Sequence, residues 1–304
     1  MKRDFLSVID FSAAELRANI HLAAELKAKA KQGIFPDVLK KGVGALIFHK
    51  QSLRTRASFE VAFHQLGGSA VYITDKEIEL GKRESIADVA RVMSRFFKVI
   101  CIRTYSHSDV EELARWSDVP VVNMLTDLLH PCQLMADMLT ILEHRGTIDH
   151  LRVTYMGDGN NMTNSWMRMA QRIPMRLTVG TSPDTLPDMG IFKETNDAGL
   201  SEVIIEHDPV RAVQDADVIY TDVWASMGAK DKIDEQIRRL SPYQVNLDLV
   251  KHAKKDVTIM HCLPAERGRE ITGEVMDLPN TVVFDEAENR LHAQKAILVK
   301  LLEG

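Results

Sequence analysis

The 304-residue chain has only three cysteines, Cys101, Cys132 and Cys262, and they are far apart in sequence. An odd number of widely spaced cysteines argues against a disulfide framework and against a C-x-x-C zinc site. No apolar run approaches the roughly 18 residues needed to span a bilayer. The N-terminus also lacks the apolar core of a signal peptide. We therefore expect a cytoplasmic protein with reduced thiols and no membrane partner.

The chain also has no excess of positive charge. Its 38 Lys and Arg against 43 Asp and Glu give a formal net charge of −5, which argues against a general nucleic-acid binder. The hydrophobic share of 45% is ordinary for a globular protein. At roughly 100–200 residues per domain, the length predicts two domains, each long enough to bury its own core.

Short apolar runs alternate with amphipathic stretches along the whole chain, which predicts βαβ units and parallel sheets. Strands are predicted near residues 44–48, 70–73, 99–102, 119–122, 153–156, 177–180, 203–205, 218–221, 257–260 and 282–284. Helices are predicted at residues 13–31, 52–66, 85–96, 109–114, 133–144 and 286–302. The pattern predicts two doubly wound α/β domains, residues 1–135 and 150–285, joined by a connecting helix at 136–149.

Polar clusters follow three predicted strands of the first domain, where ligands collect in such sheets. Residues 52–56, Ser-Leu-Arg-Thr-Arg, combine hydroxyls, guanidinium groups and the N–H groups of a helix start, a combination that suits a phosphate dianion. Arg103 follows the third strand, and His130 and Gln133 open a helix after the fourth. Taken singly, each cluster is also compatible with a helix cap or a surface charge.

The second domain has a Gly-Asp-Gly-Asn-Asn turn at residues 157–161, the place of a dinucleotide fingerprint. Met162 stands where G-x-G-x-x-G requires its third glycine, so the phosphate cradle is incomplete. Residues 222–228, Asp-Val-Trp-Ala-Ser-Met-Gly, follow another strand and offer a carboxylate for an ammonium group. An ordinary tight turn and an ordinary surface loop are the alternatives.

Cys262 ends a predicted strand within residues 261–268, His-Cys-Leu-Pro-Ala-Glu-Arg-Gly. A thiol there is a candidate nucleophile, metal ligand or proton acceptor. His261 is adjacent, and we expect the two side chains to point to opposite sides of the strand. We therefore expect no metal site and no cofactor.

Together these clusters, in this order, resemble the aspartate/ornithine carbamoyltransferase family and within it the ornithine branch. Residues 52–56 are similar to its Ser-x-Arg-Thr-Arg signature, and residues 130–133 to its His-Pro-x-Gln motif. Residues 226–228, Ser-Met-Gly, and 261–264, His-Cys-Leu-Pro, resemble the ornithine branch. The resemblance covers essentially the whole chain. It implies carbamoyl transfer from carbamoyl phosphate to L-ornithine, giving L-citrulline and phosphate, in a cleft between the domains.

The resemblance also implies residue roles. Carbamoyl phosphate would be bound by Ser52, the backbone of Leu53, Arg54, Thr55, Arg103, His130, Gln133, Cys262, Leu263 and Arg290. Ornithine would be bound by Asn161, Asp222, Ser226 and Met227. Catalysis would rest on Arg54, Arg103, His130, Asp222 and Cys262. The last helix, about 286–304, would return to the first domain, and the subunits would form a homotrimer or a multiple of trimers.

Two positions depart from the family pattern. Leu53 stands where many relatives carry threonine, so only its backbone is expected to contact the phosphate. Glu79 lies in a loop that family members lend to a neighbouring subunit's site, where a carboxylate would repel a phosphate dianion. We therefore assign no ligand role to Glu79 and consider Lys82 and Arg83 as substitutes.

Other functions remain open at this point. Aspartate, acetylornithine and putrescine are alternative acceptors, although residues 226–228 and Cys262 favour ornithine. The turn at 157–161 is also compatible with a nicotinamide dehydrogenase, although its missing third glycine disfavours that function. A regulatory relative without catalysis is a further alternative, which the presence of Arg54, Arg103, His130 and Cys262 disfavours.

Overall fold

The computed structural model describes residues 2–224 and 230–303, and the chain divides into two compact units. Unit 1 comprises Met1–Leu139 and Glu288–Gly304, and unit 2 comprises Thr140–Ala287. Each unit is an α/β fold built on a parallel sheet, of four strands in unit 1 and five in unit 2. Among the helices of the described ranges, none is long and apolar enough to cross a membrane.

The sheet of unit 1 has the strand order β2-β1-β3-β4. Its strands are β1 (Val43–Phe48), β2 (Ser69–Thr74), β3 (Val99–Arg103) and β4 (Val121–Leu125). The helices that begin in its first segment are α1 (Ala13–Lys31), α2 (Leu53–Gln65), α3 (Asp75–Ile78), α4 (Ile86–Phe96), α5 (His107–Trp116) and α6 (Pro131–Arg145). The chain places β2 on one side of β1 and β3 on the other. The carboxyl ends of β1 and β3 therefore form the topological switch point of this sheet, where ligands of open α/β sheets bind.

The sheet of unit 2 has the order β7-β6-β5-β8-β9. Its strands are β5 (Leu151–Met156), β6 (Met175–Gly180), β7 (Glu202–Glu206), β8 (Val218–Thr221) and β9 (Thr258–His261). Its helices are α7 (Asn161–Ala170), α8 (Met189–Asp197), α9 (Pro209–Val213), α10 (Lys230–Leu240), α11 (Leu247–Val250) and α12 (Gly273–Met276), followed by α13 (Val283–Glu303), which ends in unit 1. The switch point of this sheet lies between β5 and β8.

Local sequence signals explain many of the element boundaries. Ser12 and Glu15 form a capping box at the start of α1, and Ser52, Ser85 and Ser106 each cap the helix that follows. The central strands β1 and β3 are buried along almost their entire length, as expected for a parallel sheet covered on both faces.

One predicted element is wrong. Residues 282–284 were expected to form a strand, but α13 begins at Val283 and only Thr281 makes an isolated parallel bridge, to Ile259. Short apolar runs do not distinguish a buried strand from a buried helix turn. Here Asp285 and Glu286 favour a helix N-terminus. The other nine predicted strands are confirmed, with ends that differ by up to three residues.

Candidate active site

The first half of the site is the N-terminus of α2, directly after β1. The hydroxyl of Ser52 caps this helix by accepting the N–H of Thr55 at 3.4 Å. Leu53 begins the helix, and its side chain is 81% exposed, so only its backbone faces the turn. A helix N-terminus with free N–H groups and hydroxyls favours an anion.

The hydroxyl of Thr55 is the point where the predicted phosphate residues converge. Thr55 is fully buried, and its Oγ1 accepts from Arg290 at 2.7 Å and from Arg103 at 3.3 Å. Arg103 ends β3 and Arg290 belongs to α13, so three separate segments of unit 1 meet at this threonine. The Nε of Arg54 is buried and has no hydrogen-bond partner within the described residues. Three guanidinium groups at one helix start form a strong site for a phosphate dianion.

His130 and Gln133 flank the start of α6, after β4. Burial lowers the pKa of His130 well below its usual value, and the positive charges of Arg290 and Arg103 lower it further. His130 is therefore neutral at pH 7. The fully buried amide of Gln133 donates to Oδ1 of Asp137 at 2.8 Å, which fixes its orientation. A neutral imidazole and an oriented amide are suited to hold a carbonyl group.

In unit 2 a hydrogen bond crosses the switch point between β5 and β8. Asn160 caps α7, with its side-chain oxygen accepting from the N–H of Met162 at 2.8 Å and of Thr163 at 3.3 Å. Its amide nitrogen donates to Oδ2 of Asp222 at 3.0 Å. The turn that carries Asn160 needs glycine at 159, because a Cβ there would lie 2.2 Å from the backbone nitrogen of Pro187.

Asp222 and Cys262 form the other contact of this site. The Sγ of Cys262 donates to Oδ1 of Asp222 at 2.9 Å, and both residues are buried. Leu263 follows with a left-handed φ of 55°. Oδ1 of Asp222 therefore accepts from the thiol and, at 2.8 Å, from the backbone N–H of Val223, and Oδ2 accepts from the Asn160 amide. This carboxylate is held in place to receive an ammonium or amine group.

Family models match almost all of the chain. Residues 3–143 match the model described as "Aspartate/ornithine carbamoyltransferase, carbamoyl-P binding domain". Residues 149–301 match "Aspartate/ornithine carbamoyltransferase, Asp/Orn binding domain".

The chain belongs to the aspartate/ornithine carbamoyltransferase family.

Relatives of this family align over nearly full length. An ornithine carbamoyltransferase from Carboxydothermus hydrogenoformans is 52% identical over 304 residues, with 99% of this chain and 97% of the relative covered. The solved structure of the ornithine carbamoyltransferase from Pyrococcus furiosus has a TM-score of 0.96 at 46% identity, covering 100% and 98% of the two chains. An anabolic ornithine carbamoyltransferase from Campylobacter jejuni has a TM-score of 0.92 at 32% identity and 98% coverage of both chains.

The prediction that no candidate ligand lies close to Cys262 is wrong. One candidate ligand atom from each of Asp222, His261 and Cys262 lies within 4.8 Å of the others, because Cys262 stands beyond the end of β9, where strand alternation stops. However, Nδ1 of His261 accepts the N–H of Leu263 at 2.9 Å, and its Nε2 lies 3.1 Å from Oε1 of Glu270. Metal ligation by either nitrogen would break one of these bonds, so the donor set does not suit a metal.

Each predicted site residue now has a described position or lies outside the described ranges. In unit 1 the structure brings together Thr55, Arg103 and Arg290, with Ser52 at the same helix start. Asn161 is the first residue of α7, beside the capping Asn160. Ser226 and Met227 fall in residues 225–229, outside the described residues. Glu79, Lys82 and Arg83 are all exposed, and Glu79 ends α3 in a left-handed conformation.

Two contacts of this site were not predicted from the sequence. The amide of Asn160 was expected only to suit an amino acid, whereas in the structure it bonds Asp222. Its place after β5 in the Gly-Asp-Gly-Asn-Asn turn was the available signal. Asp158, in the same turn, accepts from the Gln236 amide at 2.6 Å, and burial raises its pKa to about 6. No sequence pattern indicated that pairing.

Proposed function

We propose that this chain transfers the carbamoyl group of carbamoyl phosphate to the side-chain amine of L-ornithine, giving L-citrulline and phosphate. The observation that carries the proposal is the convergence of Arg103 and Arg290 on the buried hydroxyl of Thr55, at the cap of α2. A cationic helix start beside a neutral His130 fits a substrate with a phosphate at one end and a carbonyl at the other.

Unit 1 supplies the groups for the electrophile. Ser52, the backbone at Leu53, Arg54 and Thr55 bind the phosphate, which is also the leaving group. Arg103, His130 and Gln133 hold the carbamoyl end, where negative charge develops on the carbonyl oxygen during attack. Fixed donors that stabilise this charge lower the barrier without covalent catalysis. Arg290 belongs to the same set, and Cys262 and Leu263 of unit 2 are the remaining residues proposed for carbamoyl phosphate.

Unit 2 supplies the groups for the nucleophile. The amine nitrogen of ornithine attacks the carbamoyl carbon, and the bond between that carbon and the phosphate oxygen breaks, with the electron pair leaving on phosphate. The amine must first be neutral, although an alkylamine has a pKa of about 10. We assign Asp222, oriented by Cys262 and Asn160, to take a proton from the ammonium group. Asn161 and, in residues 225–229, Ser226 and Met227 hold the rest of ornithine.

The choice of ornithine over other amines rests on two supports. The relatives that align over nearly the full chain are named ornithine carbamoyltransferases. The buried carboxylate of Asp222 suits an ammonium group better than it suits aspartate, whose own side chain is acidic. Putrescine and acetylornithine are the remaining competitors.

A panel assay tests this proposal. The purified chain is given carbamoyl phosphate with ornithine, putrescine, acetylornithine or aspartate in turn, and the ureido product is measured. We expect kcat/KM for ornithine to exceed that for each other amine by at least about tenfold. If another amine gave most of the product, carbamoyl transfer would stand as the reaction, but the assignment of ornithine as the acceptor would be wrong. No ureido product from any amine would overturn the enzymatic function.

We also propose that the chain forms a homotrimer, or a multiple of trimers, in which the loop of Lys82 and Arg83 reaches a neighbouring site. Exposure of Leu53, Lys82 and Arg83 supports this arrangement. Light scattering should then give three times the 34.2 kDa chain mass, or a multiple of it. Mixed assemblies of Arg54→Ala and Lys82→Ala/Arg83→Ala chains should recover activity that neither has alone. A monomer, or the absence of recovery, would contradict the shared site.

A further inference from the structure

His49 stands at the end of β1, three residues before Ser52, and it bonds twice to the segment that carries Arg103. Its backbone N–H donates to the carbonyl oxygen of Arg103 at 2.9 Å. Its imidazole Nδ1 lies 2.8 Å from Oγ1 of Thr104. The two bonds connect the carboxyl ends of β1 and β3, which are the two sides of the switch point in unit 1.

The partner residue is rigidly placed. Thr104 is 1% exposed, and its N–H donates to the carbonyl oxygen of Leu125 at 3.0 Å, at the end of β4. The side chain of His49 is 8% exposed, and its Nε2 lies 3.8 Å from Oδ1 of Asp75. Burial lowers the pKa of His49, so the ring is neutral at pH 7 and makes one directed bond to Thr104 through Nδ1.

We propose that His49 is a positioning residue for carbamoyl phosphate: by binding Thr104 it holds the cap of α2 in register with Arg103. This inference rests on the proposed function, because that function makes the two segments one phosphate site. The ring of His49 bonds Thr104, so in this proposal it acts on the substrate through the segments that this bond joins.

Unit 2 contains a bond of the same kind. There the Asn160 amide joins the end of β5 to Asp222 after β8, again across the switch point. In both units a short polar side chain therefore connects the two strand ends that carry the binding groups. Small displacements of such groups are costly to catalysis, which gives the connection a functional value beyond stability.

Two variants of His49 separate positioning from packing. In His49→Asn the side-chain amide replaces Nδ1 and keeps the bond to Thr104, whereas in His49→Gln the amide replaces Nε2 and loses that bond. We expect His49→Gln to raise KM for carbamoyl phosphate and Kd for inorganic phosphate about tenfold, because the loss of one hydrogen bond changes an affinity by about that factor. His49→Asn should stay within about twofold of wild type. KM for ornithine should change little in both.

Thr104 provides the matched pair. Thr104→Val should reproduce the loss seen in His49→Gln, and Thr104→Ser, which keeps the hydroxyl, should not. Equal losses in His49→Asn and His49→Gln, or unchanged affinities in His49→Gln and Thr104→Val, would overturn the proposal. A wild-type protein that binds phosphate but forms no citrulline would overturn the proposed function, while the phosphate affinities of the four variants would still decide the role of His49.

Discussion

The thiol of Cys262 donates a hydrogen bond of 2.9 Å to one oxygen of Asp222, and the amide of Asn160 donates one of 3.0 Å to the other. Three different segments of unit 2, the ends of β5, β8 and β9, thus fix a single carboxylate. The backbone N–H of Val223 also donates to Oδ1 of Asp222 at 2.8 Å, and such donors offset the cost of burying a carboxylate. In the proposed mechanism, Asp222 is the centre of the amine site.

Cys262→Ala should slow turnover much more than it weakens carbamoyl phosphate binding. In the proposed mechanism the thiol orients Asp222, the proton acceptor, and misplacing such a group typically costs about a hundredfold in rate. The measurement is kcat with both substrates saturating, beside Kd for carbamoyl phosphate. Cys262→Ser, whose hydroxyl donates to Asp222 in the same way, serves as the matched control and should retain more of the rate. An unchanged kcat in Cys262→Ala would exclude this role.

Asn160→Ser should weaken the binding of ornithine while leaving the N-terminus of α7 capped. Serine keeps an oxygen for the N–H groups of Met162 and Thr163 but has no amide to reach Asp222. We expect KM for ornithine to rise about tenfold at an unchanged Tm. Asn160→Asp should be worse, because a second carboxylate would lie beside Asp222. If Asn160→Asp were as active as wild type, the bond between the two residues would have no role in catalysis.

Arg290→Gln should weaken the binding of carbamoyl phosphate and leave the binding of ornithine nearly unaffected. Loss of one charge-assisted bond at Thr55 costs about 1.5–3 kcal/mol, or roughly ten- to 150-fold in KM. The control is Arg91→Gln, because Arg91 lies on the exposed side of α4 and stacks on Trp116 at 4.4 Å. Similar losses in both variants would show that the effect is general electrostatics and would contradict a specific phosphate contact.

The stability of the fold should fall with acid because of His292. Burial lowers the pKa of His292 to about 4 from the ordinary 6.5, with a further contribution from Lys295. Between pH 4 and 6.5, His292 therefore binds a proton in the unfolded chain but not in the folded chain. The stability that the neutral ring provides is complete above pH 6.5 and is lost as the pH falls toward 4.

His292→Gln should consequently show a shallower decline of unfolding free energy between pH 6.5 and 4 than wild type. Denaturant titrations at several pH values measure the slope of the unfolding free energy against pH for each protein. The two slopes should differ by the equivalent of one bound proton at most. Because the carboxylates that dominate acid unfolding are common to both proteins, their contributions cancel. Parallel curves for the two proteins would mean that His292 titrates normally.

Strand ends were predictable because periodicity and turn residues locate them, and parallel sheets gather polar residues at one edge. Arg103, His130 and Asp222 could therefore be assigned to sites before any coordinates. The hydrogen bonds that connect the site residues could not be predicted in this way. The bond from Asn160 to Asp222 joins residues 62 positions apart, and that from Arg290 to Thr55 spans 235. Sequence spacing also misjudged His261 and Cys262, since strand alternation ends between them.

The proposed reaction forms a bond between the side-chain nitrogen of ornithine and the carbamoyl carbon. We would incubate the protein with carbamoyl phosphate labelled with ¹³C and ornithine labelled with ¹⁵N at the side-chain amine, and record the ¹³C spectrum of the product. We expect a ureido carbon split by one-bond coupling to ¹⁵N, formed only when the protein is present. A spectrum in which all released ¹³C is uncoupled carbonate or carbamate, with the ornithine unchanged, would contradict it.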